Sequence, residues 1–138
     1  MEEVYSYMPG DKEESIYLCD MVKPVYLDSS ENLITKFAKF MNLRNDVLKA
    51  LEEARNNKVI GKSLNAHLYI CPNAEMAKEL LDFHLNFGQV FIVSKCDFVS
   101  NLEDGVEYPT AKIKVVAATG STCARCWQIV DTVDEDCL

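Results

Sequence analysis

The chain is poor in the residues, and empty of the motifs, on which a self-contained enzyme of this size would rest. It has two histidines, His67 and His84, and one tryptophan among 138 residues. Neither a Gly-x-Ser-x-Gly elbow nor a His-Glu-x-x-His helix occurs. Gly61-Lys62-Ser63 matches the end of a phosphate-binding loop, but the glycine five residues earlier is missing and no strand precedes it. His67 falls in a strand-like stretch and His84 in a helical one, which suits surface or core-edge residues better than a catalytic pair. No apolar run approaches the roughly 20 residues that cross a membrane. The start, Met1-Glu2-Glu3-Val4-Tyr5, carries no secretory leader, which argues against a secreted disulfide framework. Internal repeats and low-complexity tracts are absent as well.

What is present is a globular composition. Apolar residues make up 49% of the chain, enough for one domain or two small pieces sharing a core. Six cysteines without a leader suit a reducing, cytoplasmic setting. Cys19, Cys71 and Cys96 stand singly in apolar runs, as buried thiols do. The net charge of −8 argues against nucleic acid as a partner when averaged over the chain, but the charge is unevenly spread. Lys36, Lys39, Arg44, Lys49, Arg55, Lys58 and Lys62 face only Asp46, Glu52 and Glu53, so residues 36–62 carry about +4 and the rest about −12. Screening confines each field to about 10 Å, so a basic stripe on an acidic body can hold phosphate. An ordinary solvated helix has the same composition.

The periodicity predicts an α+β order. Residues 1–8 read as the tail of a helix that begins before Met1, stopped by Met8-Pro9-Gly10. An irregular stretch with acids and Pro24 follows. Ser29-Ser30-Glu31 opens a long helix at about 30–58, with a capping hydroxyl and an acid in its first turn. Leu33, Phe37, Phe40, Val47, Leu51 and Ala54 form its apolar stripe. Arg44 and Arg55 fall on that stripe, so each is either paired with an acid or reaches to the rim toward an external anion. Residues 64–71 alternate as a strand, and Pro72-Asn73 caps a second helix at 73–86 with Met76, Leu80, Phe83 and Phe87 inward. Gly88 stops it. Val90–Ser94 reads as a covered strand, 97–110 as a loop with an Asp104-Gly105 turn, and 111–117 as a further strand. If the strands at 66–71 and 90–95 are parallel, they and the helix between them make a βαβ-like unit.

That strand runs into Cys123-Ala124-Arg125-Cys126-Trp127, and Cys137 follows near the end. A Cys-x-x-Cys pair on a turn is half of a thiolate zinc site, and such sites use two pairs. Cys137 stands where a second pair would begin, so the chain reads as a piece of something longer, cut inside a metal site. A redox pair would sit at a helix N-terminus, and the sequence after Trp127 has no helical face. Two thiols packed in a small core remain the plain alternative.

Leu43–Arg55, Ile60–Ala66, Val90–Ser94 and Cys123–Trp127, in that order, resemble the C-terminal end of bacterial-type isoleucyl-tRNA synthetases, class I aminoacyl-tRNA synthetases. The resemblance covers essentially the whole chain. It implies that residues 1–64 end a helical anticodon-binding domain, 65–118 form a small β-α-β-β module, and 119–138 are a partial zinc knuckle. It implies a zinc ion on Cys123, Cys126 and Cys137, absent or partial here because the fourth ligand is missing. Its partner is tRNA(Ile), gripped at the anticodon end, with Arg44, Arg55, Lys62, Arg125 and Trp127 as the candidate contacts; Trp127 packing over the thiolates is the alternative role for that side chain. The family activates isoleucine with ATP through His-Ile-Gly-His and Lys-Met-Ser-Lys-Ser motifs, which this sequence lacks. The resemblance therefore implies a non-catalytic, cytoplasmic, monomeric part of a ligase whose catalytic and editing domains lie elsewhere in the same chain. The rival reading is a free-standing zinc-knuckle module that docks onto protein.

Overall fold

The computed structural model describes residues 1–81 and 83–132. They fall into two compact units, Met1–Ser30 and Glu31–Leu138.

The first unit is a short helix, α1 (Glu2–Ser6), and a 3-10 turn at Ile16–Leu18. Lys12 closes α1 as a cationic cap: its Nζ donates to the carbonyls of Tyr5, Ser6 and Met8 at and just beyond the end of the helix. Glu2 accepts from Ser15 Oγ and Ile16 N, tying the turn back to the helix.

The second unit is α+β. Its long helix α2 (Ser30–Asn56) precedes β1 (Ala66–Pro72), α3 (Ala74–Leu80), α4 (Phe87–Phe91), β2 (Lys95–Phe98), β3 (Val106–Glu107) and β4 (Ala111–Ala117). The sheet order is β2-β1-β4-β3, with β1 and β2 parallel and the other pairs antiparallel. A hairpin of β5 (Ser121–Thr122) and β6 (Ile129–Val130) follows. Among the described residues no helix is long and apolar enough to cross a membrane.

One apolar core joins α2 to the sheet. Phe40, Leu43, Val47, Ala50, Leu51 and Ala54 recur at three- and four-residue spacing and are buried. They share the core with Ala66, Leu68 and Ile70 of β1 and Ala111 and Ile113 of β4, the alternate residues that face one side of each strand. The stripe begins later than its periodicity predicts. Leu33 and Phe37 are 47% and 41% exposed, although the Phe37 ring still meets Phe83 edge-on at 5.3 Å. Val59 N bonds to Ala54 O and Lys58 N to Arg55 O, and Lys58 takes a left-handed φ of 58°, so a Schellman turn ends α2.

The predicted strand at Val90–Ser94 is not one. Val90 and Phe91 finish α4, Ile92 is left-handed (φ 58°, ψ 50°), and β2 starts at Lys95. The module is therefore β-α-α-β-β-β rather than β-α-β-β. An unbroken apolar run says that a segment is buried but not by which conformation; Phe91 and Val93 reach the core from a helix end and its turn. The predicted helix at 73–86 splits for a related reason. Asn73 caps α3 through Met76 N, and Asn86 caps a fresh start through Gln89 N. Phe83 and Phe87 keep their places against the core, Gly88 lies inside α4, and His84 is exposed between the helices. The predicted loop after 97 contains β3.

Asp46 is a tie that its sequence position did not reveal. It is buried on α2, and its Oδ2 accepts from Thr110 N at 3.1 Å and Thr110 Oγ1 at 2.8 Å, which pins the turn before β4 to the helix. Two turns further along α2, Glu53 accepts from Tyr108 OH at 2.8 Å. Burial, helped by this bond, pushes the Tyr108 hydroxyl up to about 12.

Leu51→Ala is expected to cost about 2–5 kcal/mol in chemical denaturation, because it opens a cavity between α2 and the sheet; a loss under about 0.5 kcal/mol would show that the seam is not packed. Asp46→Ala strands two donors of Thr110 and is expected to cost about 1–3 kcal/mol. An Asp46→Ala variant melting with the unaltered chain would remove that tie from the account.

Candidate nucleic-acid interface

The β5–β6 hairpin is built around a tight turn. Cys123 N donates to Gln128 O at 2.9 Å and Trp127 N to Cys123 O at 3.0 Å. Closing so short a loop forces Trp127 to a left-handed φ of 63°, an uncommon conformation for a bulky residue. Entry to the hairpin needs Gly120, whose φ is 133°; a Cβ there would lie 2.3 Å from Val130 O. Cys123 is fully buried at the base of the turn, while Arg125, Cys126 and Trp127 are exposed on it.

Ser94 fastens this hairpin to the sheet. Its Oγ donates to Leu64 O at 2.5 Å and accepts from Ile129 N at 2.6 Å. Ala118 N donates to Asn65 O and Ser94 N to Ala66 O, so three backbone segments meet at one hydroxyl. Sequence reasoning misses Ser94 because the apolar run Val90–Val93 makes it the last residue of an expected strand. The available signal was a single hydroxyl closing an apolar run, where a buried polar group needs partners.

The hairpin and the 3-10 turn Ser63–Asn65 enclose a cleft of about 490 Å³ that includes Lys62, Asn65, Cys123 and Trp127. Lys62 Nζ lies 5.3 Å from the centre of the Trp127 ring, a cation–π contact. Trp127 stays 60% exposed, so its indole is held in place yet open to a partner.

The predicted contact residues divide. Lys62 and Trp127 come together, and Arg125 shares the turn with Trp127. Arg55 adjoins them through Ser63, donating to Ser63 Oγ at 3.3 Å, but its guanidinium is engaged with Glu52 at 2.6 Å. Arg44 is half-buried and lies eleven residues before Arg55 on α2, about 16 Å along the axis. The basic stripe is also less bare than its composition. Lys39 pairs with Glu79 at 2.5 Å and Lys49 with Asp46 at 3.6 Å. The cations at the helix end, Lys58 and Lys62, have no ion-pair partner among the described residues.

Of the predicted metal ligands, Cys123 and Cys126 share the turn, and Cys137 lies outside the described residues. No group of three or more potential ligands occurs among the described residues. Cys96 is no substitute: burial first, and the neighbouring Asp97 second, push its thiol up to about 12, which keeps it protonated at neutral pH. Cys71 and Cys96 are half-buried, as expected of lone thiols in apolar runs, but Cys19 is exposed and lies 3.1 Å from Tyr5 OH.

No protein-family profile matches the chain. Curated relatives do. An isoleucine–tRNA ligase of Bacillus cereus is 48% identical over 139 residues, which takes in 98% of this chain. The ligase of Bacillus anthracis and isoleucine–tRNA ligase 1 of Bacillus thuringiensis are 47% identical over the same span. The chain belongs to the isoleucine–tRNA ligase family. It spans about 15% of the length of these ligases, so the match describes one stretch of such an enzyme. The family resemblance carried by Leu43–Arg55, Ile60–Ala66 and Cys123–Trp127 thus extends along nearly all of the residues between those motifs.

Trp127 is the sole tryptophan, so its fluorescence reports this hairpin alone. Ser94→Ala leaves Ile129 N and Leu64 O without their shared partner and is expected to cost about 1–3 kcal/mol. Acrylamide should also quench Trp127 more strongly in that variant. Unchanged quenching with an unchanged melting curve would show that Ser94 does not hold the hairpin.

Proposed function

We propose that this chain is the C-terminal, tRNA-binding part of an isoleucine–tRNA ligase, engages the anticodon end of tRNA(Ile), and is itself non-catalytic. The observation that carries the reading is the exposed Trp127, fixed on a tight turn with Lys62 against its ring. Splayed RNA bases stack on aromatic faces, and lysine or arginine beside the ring takes the phosphate. Arg125 on the same turn and Lys58 at the end of α2 extend the positive surface, while Arg55 orders the Ser63 turn from the side. Joining isoleucine to tRNA with ATP is the work of the whole ligase. The catalytic and editing parts of a monomeric, cytoplasmic enzyme would supply it.

Zinc fits the donor set of the turn. Cys123 and Cys126 stand three residues apart on one tight turn, the spacing of a thiolate pair. Cys123 and Cys126, with Cys137, would hold the ion. It would supply no reaction chemistry, only a fixed turn on which Arg125 and Trp127 are presented.

Anisotropy titration of labelled tRNA(Ile) is expected to show weak binding that falls steeply between low and moderate salt, as counterion release requires. A Lys62→Ala, Trp127→Ala double variant should weaken binding about tenfold or more, and Arg44→Ala should have little effect. Salt-independent binding, or full binding by the double variant, would contradict the proposal.

A further inference from the structure

The turn between β5 and β6 brings two thiols within bridging distance. Trp127 N donates to Cys123 O at 3.0 Å, which makes residues 123–127 one i to i+4 turn. Residues three apart in a turn of helical type have Cα atoms about 5 Å apart. A disulfide spans Cα separations of about 4.4–6.8 Å. Cys123 and Cys126 therefore fit a bridge with the backbone bonds of the turn left as they are. Their exposure differs: Cys126 is open to solvent, and Cys123 is buried at the base of the turn. No other pair among the described cysteines has this placement. Leu68, the ladder partner of Cys96, is three residues before Cys71. That offset is about 10 Å along the strand and puts the two side chains on opposite faces. Cys19 is the only cysteine of the first unit.

We infer that Cys123 and Cys126 are an oxidation site, which a peroxide closes to a disulfide and a thiol reductant reopens. The exposed thiol reacts first. The Cys126 thiolate attacks peroxide, the O–O bond breaks, its sulfur becomes a sulfenic acid and hydroxide leaves. The Cys123 thiolate then attacks that sulfur, the S–S bond forms and a second hydroxide leaves. With the two thiol protons counted, hydrogen peroxide is reduced to two waters and the pair is oxidised by two electrons. The pair is a target of oxidation rather than a dithiol oxidoreductase. Strand β6 follows the turn, so no helix dipole tunes Cys123 as it does in a catalytic Cys-x-x-Cys. The bridge spans a turn already closed by Cys123 N to Gln128 O and Trp127 N to Cys123 O, so Trp127 stays presented. It also uses up both thiolates that a zinc ion would take, so metal and disulfide are alternative states of one pair. Only that last consequence rests on the zinc reading above; the bridge itself needs neither zinc nor tRNA.

The test treats the whole chain, freed of metal by a chelator, with hydrogen peroxide. Remaining thiols are then alkylated and a tryptic digest is read by mass spectrometry. Trypsin cuts after Lys114 and Arg125, between the two cysteines, so the bridge leaves residues 115–125 joined to 126–138. Fragmentation of the joined peptides is expected to place the link on Cys126, and dithiothreitol to undo it. Cys126→Ser, an exposed position, is expected to lose the link while circular dichroism shows the fold intact. Zinc added to saturation beforehand is expected to slow the bridge about tenfold or more, by mass action. No link at a peroxide dose that oxidises the exposed, solitary Cys19 would overturn the proposal, and so would a link from Cys123 to Cys137 in its place. A Cys123–Cys126 link that forms equally fast with zinc present would uphold the oxidation site and remove the zinc reading.

Discussion

The packing of α2 against one face of a four-stranded sheet is the constraint from which the rest follows. Leu43, Val47 and Leu51 are at most 2% exposed, as are Leu68, Ile70 and Ile113 opposite them. Burying that seam fixes which face of β1 and β4 looks inward, because a one-residue slip would turn every side chain over. It also turns His67, Tyr69, Lys112 and Lys114 to the far face of the sheet. Polar ties then set the position of α2 along the sheet. Asp46 holds Thr110 and Glu53 holds Tyr108, both just before β4.

The exposed hairpin and the cations beside it hang from this frame in sequence. The Schellman turn at Lys58 sends the chain back toward the start of β1 and leaves Lys62 beside the hairpin. Ser94, at the junction of α4 and β2, bonds both to Leu64 and to Ile129. The hairpin is therefore attached at the point where two structural elements already converge. An acidic protein gains a local positive site this way without a basic fold. Lys39, Lys49 and Arg55 of α2 spend their charge on Glu79, Asp46 and Glu52, while Lys58 and Lys62 follow just beyond the helix end, the latter beside the hairpin.

Much of this was legible in the residues. Heptad-like spacing located α2 within two residues at its C-terminal end, and alternation located β1 and β4. Asn73 was recognisable as a cap because its side chain serves a local bond, to Met76 N. The misses share a cause. Val90–Ser94 is apolar throughout, and burial alone cannot distinguish a strand from the end of a helix; what decided it was the cap at Asn86, which is visible only once the preceding helix is known to stop at Leu80. The acid that holds Lys39, Glu79, lies 40 residues away and is assigned only in three dimensions, whereas Glu52 stands three residues before Arg55, a pair that local helix spacing already offers. Asp46 and Ser94 act over 64 and 35 residues of sequence, distances at which no local pattern speaks. The Cys123–Trp127 turn was the clearest signal of all, since spacing and residue type together specify it.

Hydrogen–deuterium exchange of the whole chain, with and without tRNA(Ile), tests the central claim most directly. The account predicts that tRNA slows exchange in residues 61–65 and 119–130, the two segments that carry Lys62 and Trp127, and leaves the inner strands and the middle of α2 unchanged. Protection confined to the Arg44 region of α2 or to residues 1–30, with the hairpin exchanging as freely as before, would contradict it.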